Sequence, residues 1–93
     1  MVCEAEFAKR VIAVLDEIGV AGHTSIDGAL GKGRSGRRED SDIWPGMNRL
    51  VFAALPDEAM ADRIVAHVEQ VIEDNYRNRP GFAAFKLHGT QIA

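Results

Sequence analysis

Two stretches of helical periodicity, each with a single apolar stripe, constrain the fold of this chain most strongly. In residues 7–18, apolar side chains recur at spacings of three and four, and Gly19 suits the left-handed conformation that ends a helix. In residues 60–72 a second stripe follows a proline and acidic start at residues 56–58, which is typical of a first helical turn. A helix with a single apolar stripe buries that stripe against one neighbouring layer. Both helices are therefore expected to pack on the same side of a sheet.

Four further segments have the composition of strands. Residues 1–3 are apolar but short, residues 23–30 alternate, and residues 82–89 read as a last strand. Residues 47–55 form a nearly continuous apolar run, which suits a strand covered on both faces, although periodicity alone leaves a buried helix open. The order predicts an α+β fold: a ferredoxin-like βαββαβ sandwich, one domain over residues 1–93, with both helices on one face of an antiparallel sheet.

The first strand of that fold lies centrally in the sheet, and here only about three residues precede the first helix. Either this strand is stunted or the chain begins upstream of this numbering.

A long charged loop, at about residues 31–46, separates the second and third strands. Connections longer than about 12–15 residues without regular structure are usually functional or disordered. Basic residues and glycines come first, so the segment could hold an anion through guanidinium and backbone N–H groups. An equally weighted alternative is a solvated loop whose charges keep it soluble and mobile. The candidate ligand-binding residues are Gly31, Lys32, Gly33, Arg34, Arg37 and Arg38.

Three residues near the end of the loop are candidates for binding a partner or anchoring the loop: Asp42, Trp44 and Asn48. We favour a structural role for Trp44, capping the sheet edge or a neighbouring subunit, over a role as the main anchor for a partner. Asn48 is expected to hydrogen-bond across the neck of the loop.

Composition disfavours several classes of function. The net charge of −3 argues against a general nucleic-acid binder. Cys3 is the only cysteine, so an internal disulfide and zinc-finger spacing are impossible. No apolar stretch approaches the ~18–20 residues of a membrane span, and the first apolar run is too charged for a signal peptide, so we expect a cytoplasmic protein. No nucleophile comes with a recognisable base, so an enzyme is not expected, and any metal or cofactor is unknown.

Three segments together resemble the PII-like signalling superfamily. Residues 22–27 are similar to the Gly-x-Thr segment of that family, and residues 31–33 to the Gly-x-Gly that opens its mobile T-loop. Residues 42–48 look like the Trp-Pro-x-x-Asn return of a divergent branch, whose members are often encoded beside heavy-metal efflux pumps. The Thr-Gly-x-x-Gly-Asp-Gly-Lys pattern of ordinary PII proteins is absent, and residues 78–81 stand in its place.

The resemblance implies a homotrimer of ferredoxin-like subunits, with clefts between subunits that bind a small effector, an anion or a nucleotide. It also implies signal transduction through the loop to a partner, such as a membrane transporter or an enzyme, linked to nitrogen regulation or metal efflux. The alternative is a protein similar to the CutA family, which binds divalent metals and confers metal tolerance.

Overall fold

The computed structural model describes residues 1–29, 32–33, 36–37 and 48–93. In chain order the elements are β1 (Val2–Glu4), α1 (Ala5–Ile18), β2 (His23–Ala29), β3 (Lys32–Gly33), β4 (Gly36–Arg37), β5 (Asn48–Ala53), α2 (Glu58–Asn75) and β6 (Phe82–Ala83).

Four of the strands form one antiparallel sheet in the order β2-β5-β1-β6. The short β1 lies between β5 and β6, as the first strand of a ferredoxin-like fold does. Cys3 and Val51, on one face of the sheet, share a buried cluster with both helices. Both helices therefore cover the same face, and the predicted α+β ferredoxin-like fold is confirmed.

The helix ends have local causes, and the sequence predicted the glycine that ends α1. Gly19 follows α1 at φ +88°, and its N–H bonds back to the carbonyl of Leu15 at 3.1 Å. Glycine takes this left-handed conformation without the steric cost that a Cβ adds. At the start of α2, the Asp57 carboxylate accepts the N–H of Met60 at 2.8 Å, which caps the helix.

The core lies between the helices and the centre of the sheet. Phe7 is its aromatic centre, with edge-to-face contacts to Tyr76 and Phe82 at centroid distances of 5.4 and 5.9 Å. Such contacts join α1 to the end of α2 and to β6. The buried apolar residues are Cys3, Phe7, Ala8, Val11, Val14, Leu15, Val51, Ile64, Val68 and Ile72.

The last strand is shorter than predicted, because β6 covers only Phe82–Ala83 of the expected 82–89. Ala83 pairs with Val2, where β1 begins. In the described residues no ladder pair joins β1 to the chain after Ala83, and residues 84–89 do not form a strand. The prediction was wrong because alternation describes one segment and not the length of its partner.

The strand predicted for residues 47–55, which is β5 in the structure, is covered on only one of its two faces by the described residues. Val51 is buried beneath the helices, whereas Phe52 on the opposite face is 50% exposed. The expectation of two covered faces therefore does not hold among the described residues of one chain. The single domain over residues 1–93 stays a prediction, and most of its loop lies outside the described residues.

Candidate functional site

The two ends of the loop meet at one end of the sheet, which we call the loop base: residues 27–29, residues 48–49 and Glu4. Asn48 pairs with Ala29 on one side and with Glu4 on the other. The register of β2 shifts between Ile26 and Ala29, and Gly28 within that shift has φ +77°. An irregularity of this kind bends a strand, and glycine accommodates it readily. The sequence thus permits an irregularity in β2 just before the loop begins, while Ala29 still pairs with Asn48.

Asn48 is the buried polar side chain among the described residues, at 8% exposure. A buried amide needs hydrogen-bond partners, and no buried side-chain nitrogen or oxygen in the described part of the chain lacks one. Its backbone joins β5 to two neighbouring strands. Asn48 is therefore a fixed point where the loop returns to the sheet, while its predicted hydrogen bond across the loop neck stays a prediction.

An ion pair that sequence reasoning missed links the two arms of the loop base. The Nε of Arg49, at the start of β5, donates to the Asp27 carboxylate near the end of β2. The Arg49 side chain is 24% exposed and that of Asp27 is 73% exposed. Asp27 and Arg49 flank the loop in sequence, and opposite charges on its two sides were the signal available. The pair places a guanidinium, whose fork carries five N–H donors, at the loop base.

Within the loop, β3 and β4 form a small hairpin. Lys32 pairs with Arg37 and Gly33 with Gly36, so two residues connect the strands. Sequence reasoning overlooked this hairpin, because the two connecting residues, Arg34 and Ser35, are not one of the glycine-containing pairs that mark a hairpin turn. The register sets two predicted ligand-binding positions, Lys32 and Arg37, directly opposite each other.

The structure describes part of the predicted site. Lys32, Gly33 and Arg37 lie in the hairpin, and Asn48 lies at the loop base. Gly31, Arg34 and Arg38 are outside the described residues, and so are Asp42 and Trp44. Their roles in binding a ligand or a partner stay predictions.

Cys3 is in the core and not at a reactive position. Its side chain is 1% exposed, and burial raises the pKa of the thiol to about 11, although the nearby Arg49 acts in the opposite direction. The thiolate is the nucleophile and the metal ligand, so a neutral buried thiol is inert. Within residues 1–29 and 48–93 and the small hairpin, no three histidine, cysteine or acidic side chains gather as a metal site would require.

A second surface of interest is the sheet face opposite the helices, which we call the open face: Val2, Thr24, Ile26, Leu50 and Phe52. Ile26 and Phe52 are each 50% exposed, and β2 at the sheet edge is exposed along residues 23–28. Among the described residues nothing covers these side chains and no strand pairs with the outer edge of β2. Large apolar side chains on such a face, beside such an edge, mark a surface suited to protein contact.

No helix in the described part of the chain has the length and apolarity needed to cross a membrane. A family model described as "Nitrogen regulatory protein P-II" matches residues 1–86. The match takes in every helix and strand described above, together with the loop. No curated protein and no solved structure matches the chain significantly.

Proposed function

Because the chain belongs to the nitrogen regulatory protein P-II family, we propose that it is a homotrimeric regulator that binds a small effector and acts on a partner protein through its loop. The family match over residues 1–86 is the observation that carries the proposal. P-II proteins regulate other proteins, and the trimer, the effector and the loop are the finer parts of the proposal.

The open face supports the trimer. Ile26 and Phe52 are half exposed in one subunit, and contact with other copies would remove them from water. Full burial of such a side chain contributes about 1.5–3 kcal/mol, so covering the exposed half of each contributes about 1 kcal/mol per side chain. Association could also provide hydrogen-bond partners for the backbone N–H and C=O groups along the outer edge of β2, which have none in the sheet of the described residues.

The hairpin and the loop base together support an anionic effector, such as bicarbonate or the phosphates of a nucleotide. The backbone register of the hairpin brings positions 32 and 37, a lysine and an arginine, opposite each other. Basic residues of this kind bind anions through charge-assisted hydrogen bonds, and Arg49 adds a guanidinium at the loop base. In a trimer the site would lie in the cleft between subunits, as the sequence resemblance implies.

The mechanism that follows is a switch between two conformations of the loop. An effector shifts such an equilibrium only through its differential affinity for the two states. Here the bound anion would favour one conformation of residues 31–46, in which Trp44 and Asp42 are presented to the partner, a transporter or an enzyme.

A thermal-shift screen with ATP, bicarbonate and divalent metals tests the effector. Binding to the native state raises the free energy of unfolding by RT ln(1 + [L]/Kd), about 2.7 kcal/mol at a hundredfold excess over Kd. Replacing Arg34, Arg37 and Arg38 together with alanine should abolish an anion-induced shift and leave the circular dichroism unchanged. The control replaces Arg63, an exposed residue of α2, with alanine. An anion shift that survives the triple substitution contradicts the assignment.

Divalent-metal binding of the CutA type is the alternative that the sequence left open. No observation on the described residues favours it, and calorimetry with copper, zinc and cobalt distinguishes the two. Heat from metals, with none from anions or ATP, would favour the alternative.

A further inference from the structure

The pairing of β2 with β5 contains a bulge at the root of the loop. The ladder joins position 26 to 50 and position 29 to 48, so two residues of β2, Asp27 and Gly28, lie opposite one residue of β5, Arg49. Two residues opposite one define a β-bulge, which redirects a side chain. Gly28 has φ +77°, which is costly for a residue with a Cβ, and a Cβ there would contact nothing in the described structure. The glycine therefore serves the backbone of the bulge and not the packing around it.

The two members of the ion pair at this bulge are held to different degrees. The Nε of Arg49 donates to the Asp27 carboxylate, and the Arg49 side chain is 24% exposed whereas that of Asp27 is 73% exposed. Arg49 lies in a strand with neighbours on both sides, and it also pairs with Cys3 of β1. Asp27 lies in the edge strand. Arg49 is therefore the fixed member of the pair and Asp27 the exposed one.

The difference in exposure makes separation of the pair unequal for its two members. A carboxylate that is mostly exposed keeps most of its hydration, so leaving an exposed partner costs it little. A mostly covered guanidinium recovers less water, and a covered charge without a partner is unfavourable. Its fork of N–H donors fits a carboxylate or a phosphate equally well. Without Asp27, Arg49 is therefore suited to take another anion.

We propose that Asp27 is an internal competitor for the anionic effector at Arg49, and that the effector binds by taking the place of the Asp27 carboxylate. This inference rests on the proposed function, which assigns an anion to the loop base, and it adds what limits the affinity there. A purely structural pair makes the opposite prediction. Removing the Asp27 charge would then leave anion binding unchanged or weaken it, whereas removing a competitor strengthens it.

Competition at Arg49 also links the effector to the loop. β2 leads into the loop and β5 leads out of it, so the Asp27–Arg49 pair joins the two arms at the root. The effector and Asp27 are both negative, and each disfavours the other at one guanidinium. Such a coupling is reciprocal. The effector therefore loosens the link between the two arms by as much as that link weakens effector binding.

The test is calorimetric titration of the full chain with sodium bicarbonate and with ATP, at constant ionic strength because salt screens exposed charges. Asp27→Asn removes the competing charge and keeps the size of the side chain. The matched control is Asp62→Asn, which removes the same charge from an aspartate that is 67% exposed and pairs with Lys86. Arg49→Gln, alone and combined with Asp27→Asn, completes a double-mutant cycle. Circular dichroism verifies that each variant folds.

The proposal expects Asp27→Asn to lower the Kd of the anion about two- to fivefold, which corresponds to the strength of an exposed ion pair. Asp62→Asn should leave the Kd unchanged, and the gain should vanish when position 49 is glutamine. If Arg49→Gln does not fold, the contrast between the two asparagine variants decides alone.

Unchanged or weaker anion binding by Asp27→Asn overturns the competitor. A gain that survives Arg49→Gln, or that Asp62→Asn reproduces, overturns it as well. These outcomes leave the anionic effector itself in place. If neither the unmodified chain nor Asp27→Asn binds bicarbonate or ATP, the anionic effector of the proposed function is contradicted, and the competitor with it.

Discussion

Cys3 shows at the scale of one residue how burial sets chemistry. Its thiol is 1% exposed, and its pKa is raised to about 11 because the core disfavours the thiolate. We expect the native protein to react with a disulfide reagent only as fast as it unfolds, and to react at once in concentrated urea. Immediate stoichiometric reaction under native conditions would contradict the buried position.

The same thiol predicts a pH dependence of stability. Between the ordinary pKa of 9.0 and the raised value of about 11, the native state keeps a proton that the unfolded state releases. The thiol's contribution is therefore complete below pH 9 and is lost as the pH rises through about 11. In urea melts, the free energy of unfolding should fall more steeply with pH over this range for the unmodified chain than for Cys3→Ala. Parallel profiles would contradict the prediction.

Glu69 and Arg79 form a bidentate ion pair, with N–O distances of 2.7 and 2.8 Å, between α2 and the turn before β6. The hydrogen bonds from Arg79 lower the pKa of Glu69. Both side chains are about half exposed, so we expect Arg79→Ala to reduce the free energy of unfolding by at most about 1 kcal/mol. Because the pKa of Glu69 is lowered, the ion pair's contribution to stability is present above the ordinary value of 4.5 and is lost as the pH falls below it. Urea melts of the unmodified chain and of Arg79→Ala at pH 7 and at pH 3 would measure this loss.

At the scale of elements, the start of α2 depends on one side chain. The Asp57 carboxylate accepts the Met60 N–H at 2.8 Å, and it is the cap of a helix that carries three of the ten buried core residues. We expect Asp57→Ala to lower the free energy of unfolding by about 1 kcal/mol and Asp57→Ser to retain most of it. Chemical denaturation of the three proteins would test this, and equal losses for alanine and serine would argue against capping.

The helices were predictable from sequence because their signals are local. The spacing of apolar residues, Gly19 after α1 and Asp57 before α2 each act within a few positions. The length of β6 was not predictable, since it depends on pairing with β1, which lies far from it in sequence. The strand pattern of residues 84–89 is real, but the ladder ends at Ala83.

Some features of the candidate site were likewise predictable from the sequence, and others were not. The basic loop was visible as composition, and Asn48 as its end. The Asp27–Arg49 pair was missed because its members are distant in sequence and only the antiparallel pairing of β2 with β5 brings them together. The hairpin in the loop was missed because its two connecting residues include no glycine and its strands are too short to show alternation.

At the scale of the whole molecule, the open face is the apolar surface that the described residues of one chain leave exposed to water. Phe52 lies on that face, opposite Thr24 of β2, and is half exposed. If the proposed trimer buries this face, Phe52→Asp should dissociate it by placing a charge in the contact, since an unpaired buried charge is costly. Ala59→Asp, which adds the same charge on an exposed position of α2, should leave the assembly intact. Light scattering after size-exclusion chromatography compares the two, and a Phe52→Asp variant that stays associated would remove the open face from the interface.

The mass of the unmodified protein in solution tests the central proposal most directly, because an effector site between subunits requires an assembly. Sedimentation equilibrium at micromolar concentration should give about 30 kDa, three times the 10.1 kDa of one chain. A mass of 10.1 kDa throughout that range would contradict the homotrimer and, with it, an effector site formed between its subunits.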